Sequence, residues 1–211
     1  MSSVKIVEVL INFEGGETCM PAKYLEIRWH GRAGQGAKSA SQMLAESALE
    51  QGKFVQAFPE YGAERTGAPM KAFTRIGDTP ILVRAVIENP DIVIVIDDTL
   101  LSPDIVGGLD EKEGVLLVNS VRPFEWIRSK TNFKGKICKV PATDIALEEI
   151  KKGVPNTAML GALVKITGVV PLEAIESRIE KMFLSKFGEE VVNANKRALK
   201  RGFEEVQCEE V

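Results

Sequence analysis

The sequence predicts an α/β fold: a mostly parallel sheet with a mixed edge, flanked by helices, and a helical segment at the C-terminal side. Three observations carry this. Short β-rich apolar runs alternate with amphipathic stretches between residues 24 and 142. The run from Asp91 to Asp97, DIVIVID, is continuously apolar between charged ends, as a strand buried on both faces requires. From Thr143 onward, helical periodicity replaces strands.

Residues 1–22 read as an extension, and 23–211 as one α/β domain. Within the extension, Val4 to Phe13 is strand-like and precedes the turn Glu14-Gly15-Gly16; it is either an edge strand or an appendage. YLEIRWH, from Tyr24 to His30, alternates as a strand does. A glycine-rich turn follows, and then Ala40, Met43, Leu44 and Ala48 mark one face of a helix that Gly52 ends. KFVQAF is a short strand. Residues 59–69, PEYGAERTGAP, hold two prolines and two glycines and read as a long loop. MKAFTRI and ILVRAVI, joined by GDTP, are expected to form an antiparallel pair. After DIVIVID, Ser102 and Pro103 have the residue types of an N-cap and a first helical position. GVLLVNS is a second buried strand, PFEWIRSK a short helix and GKICKVPA a last strand. Four helical stretches close the chain. ATDIALEEIKKG ends at Gly153. NTAMLGALVKITG is apolar almost all round and belongs deep in the fold. PLEAIESRIEKMF repeats Leu172, Ile175, Ile179 and Met182, and GEEVVNANKRALKRGFEEV follows.

Composition narrows the functions. Hydrophobic residues make up 45 % and charged residues 27 % of 211, an ordinary globular balance. No apolar run approaches the roughly 20 residues that span a bilayer, and the first residues do not read as a signal peptide. A cytoplasmic protein with no membrane association is expected. Net charge is −3, which gives no general attraction to nucleic acid. Lys23 to Arg84 is nevertheless locally basic, with nine Lys/Arg against six Asp/Glu. Cys19, Cys138 and Cys208 show no paired spacing of the kind that iron–sulfur and structural zinc sites use. An odd, sparse set also speaks against a secreted disulfide framework. His30 is the single histidine, which excludes any histidine pair.

The first candidate site is Gly31-Arg32-Ala33-Gly34-Gln35-Gly36. Its order, G-x-x-G-x-G, is neither the dinucleotide fingerprint nor a P-loop. Glycines still let backbone N–H groups converge on one point, and the helix starting near Gly36 adds its positive end. Arg32 and Lys38 add charge, so the turn suits a phosphate or carboxylate. Equally, the glycines can serve only a sharp turn and close packing. The second candidate is the loop with Glu60, Tyr61, Gly62, Glu64, Arg65 and Thr66, where Arg65 can hold an anion in a bidentate way and Glu64 can be its ion-pair partner. Asp97 and Asp98 end a buried strand; turn and capping chemistry explains them better than acid–base catalysis. His30 reads as a satisfied core histidine. No nucleophile, base and orienting group come together, so the chain reads as part of an enzyme.

The stretch EIRWHGRAGQGAKSASQMLAESALEQGKFVQAFPEYGAERTGAPMKAFTRI resembles the gamma subunits of pyruvate:ferredoxin oxidoreductases (pyruvate synthases), in the 2-oxoacid:acceptor oxidoreductase family. The family pattern is a GxGGQG turn followed by a PxxGxxRxG loop and a strand carrying Arg. Here these are Gly31 to Gly36, with Ala33 in place of a glycine; Pro59 to Gly67; and Arg75. VIDDTLLSP, PNTAMLGALVKITG and NANKRAL also look like family segments, so the likeness runs from about Tyr24 to Phe203. The resemblance implies an enzyme that converts pyruvate, CoA and oxidised ferredoxin to acetyl-CoA, CO2 and reduced ferredoxin, reversibly. It implies alpha, beta and delta partners that carry thiamine diphosphate, Mg2+ and iron–sulfur clusters. This chain has no cluster-type cysteine spacing, and only Gly77-Asp78-Thr79 where a thiamine diphosphate motif would read GDG. No catalytic residue and no metal ligand are expected. CoA or subunit contacts are expected at Arg32, Gly34, Gln35, Gly36, Tyr61, Gly62, Glu64, Arg65 and Thr66. The alternatives are a gamma subunit of a branched-chain, 2-oxoglutarate or indolepyruvate enzyme, or a stand-alone nucleotide-binding module.

Overall fold

The computed structural model describes residues 24–60 and 67–209. The expected extension at 1–22 lies outside them, as do the loop residues Tyr61, Gly62, Glu64, Arg65 and Thr66. The described chain builds a seven-stranded sheet in the order β2-β3-β1-β4-β5-β6-β7. These strands are β1 (Leu25–Arg32), β2 (Phe54–Glu60), β3 (Pro69–Gly77), β4 (Ile92–Val95), β5 (Val115–Asn119), β6 (Lys136–Val140) and β7 (Gln207–Cys208). β1, β4, β5 and β6 run parallel; β3 pairs antiparallel with both β1 and β2 at one side, and β7 pairs antiparallel with β6 at the other. The fold is α/β as expected, with antiparallel pairing at both edges.

The alternation in the strands decides what each face meets. Ile27, Trp29, Ile92, Ile94, Ile96, Leu117 and Val140 pack under α1 (Ala37–Glu50), α3 (Ala142–Glu149), α4 (Asn156–Thr167) and α5 (Leu172–Glu205). Val93, Val95, Leu116, Val118 and Ile137 face the other way, onto α2 (Phe124–Thr131) and the short 3-10 turn Pro103–Val106. The central strands are therefore apolar on both sides, as DIVIVID requires. On β1 the second face is polar instead. Arg28 there donates to the carbonyls of Ile105 and Gly107, which satisfies a charge placed in the interior.

The expected pair of MKAFTRI and ILVRAVI does not form. β3 is hydrogen-bonded to β1 on one edge and to β2 on the other, so neither edge can accept residues 81–87. That segment instead runs irregularly beside β2, where the Gln56 amide donates to the carbonyls of Ile81 and Val83. Leu82, Val83 and Val86 are exposed along it. The expected helix after Ser102 is one turn of 3-10 helix, and Ser102 makes no side-chain cap. The two expected C-terminal helices are continuous as α5 except at Gly188, whose φ of 79° and ψ of 175° break the spiral.

Three features tie the C-terminal part to the sheet. Every residue of α4 from Asn156 to Val164 is buried, as its apolar circumference predicts. α4 and α5 touch backbone to backbone: a Cβ on Gly161 would stand 1.9 Å from the Leu199 carbonyl oxygen, and one on Gly202 would stand 2.0 Å from that of Ala158. Finally, Cys138 on β6 and Cys208 on β7 form a disulfide across 70 residues. The wide spacing hides this pair from any reading of the cysteines along the sequence.

Gly161→Ala is expected to lower stability by about 2–3 kcal/mol or more, because two helix backbones must separate to admit one methyl group. A denaturant midpoint that does not move would show that α4 and α5 are not in backbone contact.

Candidate functional site

The glycine elbow lies at the carboxyl end of β1, where open α/β sheets bind ligands. Gly34 (φ 101°) and Gly36 (φ 87°) both need backbone that L side chains rarely adopt. A Cβ on Gly34 would meet nothing within 4 Å, and the residue is exposed. A Cβ on Gly36 would meet the Asn156 side chain at 2.7 Å, so α4 presses on the elbow from behind. The two glycines thus divide the two roles: Gly34 leaves the outer face open, and Gly36 permits close packing.

Arg32 and Gln35 lock the elbow to the end of β4. The Arg32 amide donates to Gln35 Oε1 (2.7 Å), and Gln35 Nε2 donates to Asp97 Oδ2 (2.7 Å). Arg32 Nε donates to the same Asp97 oxygen (3.1 Å), while its other nitrogens reach the Gly67 carbonyl (3.2 Å) and Thr99 Oγ1 (2.9 Å). Asp97 also accepts from the Thr99 amide (3.0 Å), which makes it the N-cap of the 3-10 turn Asp98–Leu100. Burial works to raise the Asp97 carboxyl. The Thr99 hydroxyl, Gln35, the Thr99 amide and the Arg32 charge together outweigh it and hold the carboxyl below its ordinary value. Capping chemistry was expected of Asp97; its hold on Arg32 was not. Arg32 is therefore a clasp whose charge is already met.

Beside the clasp is a hollow of about 270 Å³ lined by Gln35, Asp97, Asp98, Asn119, Ser120 and Asp144, among others. Ser120 Oγ donates to Asp98 (2.7 Å), and Asn119 braces the strand ends by donating to the Ile96 carbonyl (2.8 Å) and Thr143 Oγ1 (2.7 Å). With Asp97 already paired to Arg32, the carboxylates of Asp98 and Asp144 make this hollow unfavourable for an anion. The other side of the elbow differs. α1 begins at Ala37 with no side-chain cap and no acidic residue in its first turn, and Lys38 is exposed there. Its first amides have no partner within the helix, so its positive end lies at the elbow.

The remaining sequence candidates have structural partners of their own. Glu60 ends β2 and pairs with Lys71 of β3 (3.4 Å). Arg75 sits at the opposite end of the sheet, buried against Glu26 and Gln56. His30 is buried, and its Nε2 accepts from Arg28 Nε (3.1 Å), which places the ring hydrogen on Nδ1. Burial, then the charges of Arg28 and Lys71, push its pKa down to about 3. The satisfied-histidine reading thus holds. Thr99, Asn119 and Asn156 escaped sequence reasoning, because nothing in their local pattern marks them.

Two outcomes are expected. His30 stays neutral in the folded chain and titrates near 6.5 when unfolded. Its contribution is therefore complete above about pH 6.5 and is lost toward pH 3 at about 1.4 kcal/mol per pH unit. His30→Gln should flatten that limb in acid-unfolding curves, and an unchanged limb would assign it to other groups. Gly34→Ala is expected to cost about 1–2 kcal/mol from its backbone alone. Gly36→Ala is expected to cost about 1–3 kcal/mol more, through displacement of Asn156; equal costs in urea melts would remove the distinction.

The chain resembles known proteins along this whole region. Residues 26–205 match the family described as pyruvate ferredoxin/flavodoxin oxidoreductase. "Pyruvate synthase subunit PorC" of Thermotoga maritima is 74 % identical over 188 residues, which is 89 % of this chain and 97 % of that one. "Pyruvate/ketoisovalerate oxidoreductases common subunit gamma" of Pyrococcus abyssi is 44 % identical over 189 residues, covering 89 % of this chain and all of that one. The crystal structure of pyruvate oxidoreductase subunit PORC from Thermotoga maritima superposes with a TM-score of 0.82 at 71 % identity, covering 89 % of this chain and 99 % of that chain. With the glycine elbow, the parallel strand ends and the helical layer all inside the matched span, the chain belongs to the pyruvate ferredoxin/flavodoxin oxidoreductase family.

Proposed function

We propose that this chain, as the gamma subunit of a pyruvate:ferredoxin oxidoreductase, presents the outer face of its glycine elbow and the amino end of α1 to CoA. The carrying observation is the start of α1 behind a glycine N-cap, beside exposed Gly34 and Lys38, at the carboxyl edge of the sheet. Amide hydrogens and a positive helix end receive phosphate oxygens there. Arg32 and Gln35 hold the elbow in shape through Asp97 instead of reaching for the ligand. Tyr61, Gly62, Glu64, Arg65 and Thr66 supply CoA or subunit contacts from the loop joining β2 to β3.

The reaction's electron and carbon chemistry belongs to the alpha, beta and delta partners in this reading. Thiamine diphosphate, Mg2+ and iron–sulfur clusters lie on them, and ferredoxin meets the complex there. The sulfurs of Cys138 and Cys208 are spent on each other, so neither is a thiolate for a cluster. The relative from Pyrococcus abyssi is named a common subunit for pyruvate and ketoisovalerate enzymes. That supports a second reading of the same role, in which one gamma subunit serves several 2-oxoacid enzymes and the partners choose the substrate.

Pyruvate-dependent viologen reduction by the assembled complex tests the proposal. Lys38→Glu should raise the KM for CoA about five- to tenfold, the loss of a contact worth about 1–1.4 kcal/mol. The KM for pyruvate and kcat should stay near their original values. An unchanged KM for CoA would leave the elbow a packing device, and turnover by the gamma chain alone would overturn the subunit reading.

A further inference from the structure

The disulfide stands at the edge of the fold, far along the sheet from the elbow. β6 is fully paired with β5 on one side and, among the described residues, carries on the other only the two-residue strand β7. Cys138 and Cys208 are register partners in that pair. Their surroundings differ sharply. Cys138 is 0 % exposed within the helical core layer, whereas Cys208 is exposed at the sheet margin. Besides the disulfide, β7 is held by the Glu209 amide donating to the Ile137 carbonyl (2.9 Å) and by a part-exposed ion pair of Glu209 with Arg128.

We propose that Cys208 is a thiol–disulfide exchange site, at which a dithiol opens the covalent latch between the C-terminal strand and β6. A thiolate attacks the Cys208 sulfur, the one solvent reaches, and the sulfur–sulfur bond breaks. The electron pair leaves with the Cys138 sulfur, which takes a proton from solvent because a buried thiolate is costly. The second thiol of the dithiol then attacks the mixed disulfide and releases Cys208 as a thiol. The protein gains two electrons and the dithiol becomes a disulfide. What remains is a two-residue strand held by one part-buried ion pair, backbone hydrogen bonds and the packing of neighbouring Val206 against the core. Such a strand exchanges with solvent easily, and its departure uncovers the β6 edge, a row of groups able to pair with another strand.

The purified full chain tests this with three measurements. In denaturant without reductant, a thiol reagent should find one thiol per chain, that of Cys19, and three after reduction; three at the outset would overturn the proposal. Brief exposure of the folded chain to glutathione, followed by acid quenching and peptide mass mapping, should place the adduct on Cys208. An adduct on Cys138 would reverse the assigned site. Dithiothreitol should accelerate amide exchange in residues 206–209 by about tenfold or more, while the α4 amides stay protected. Unchanged exchange would show that the bond latches nothing. Cys208→Ser should exchange like the reduced chain and ignore the reductant. The reduced wild-type chain supplies the same comparison if that variant does not fold.

Discussion

One carboxylate holds the candidate site together. Asp97 leaves the end of β4 and accepts from Arg32, Gln35 and Thr99 at once, so the elbow after β1 and the turn after β4 move as one body. The arrangement works because several donors outweigh the cost of partly burying the charge. Without it, two glycines with positive φ would leave the elbow free to sample many shapes. With it, the open side of Gly34 and the first amides of α1 keep a constant relation to the sheet edge.

The sheet's topology explains why that clasp can exist. β1 lies between an antiparallel neighbour and a parallel one, so the chain leaving β1 turns outward beside the end of β4. That is the kind of crevice in which α/β proteins bind ligands. The same placement separates two electrostatic environments a few residues apart. The hollow with Asp97, Asp98 and Asp144 repels anions, while the start of α1 attracts them.

Behind the site the core is rigid for identifiable reasons. α4 is buried along most of its length and backs onto Gly36 through Asn156. α5 crosses it at glycine contacts that leave no room for a methyl group. The disulfide then fastens the strand that follows α5 to the far edge of the sheet. A continuous path of packing thus joins the elbow to the C-terminal strand.

Local chemistry determined much of this in advance. Alternation placed β1, and the unbroken apolar run placed β4 in the buried centre. All-round apolarity placed α4 deep, and the glycine spacing marked the elbow with its helix. Each of those signals is written in neighbouring residues, so folding could only confirm them. Tertiary structure decided what depends on residues distant in the chain. It paired β3 with β1 and β2 and so denied residues 81–87 a strand partner. It brought Arg32 to Asp97, 65 residues away. It joined Cys138 to Cys208. Edge pairing, ion pairing and sulfur bonding are contests among all groups that reach one place, and only the folded chain shows which groups arrive.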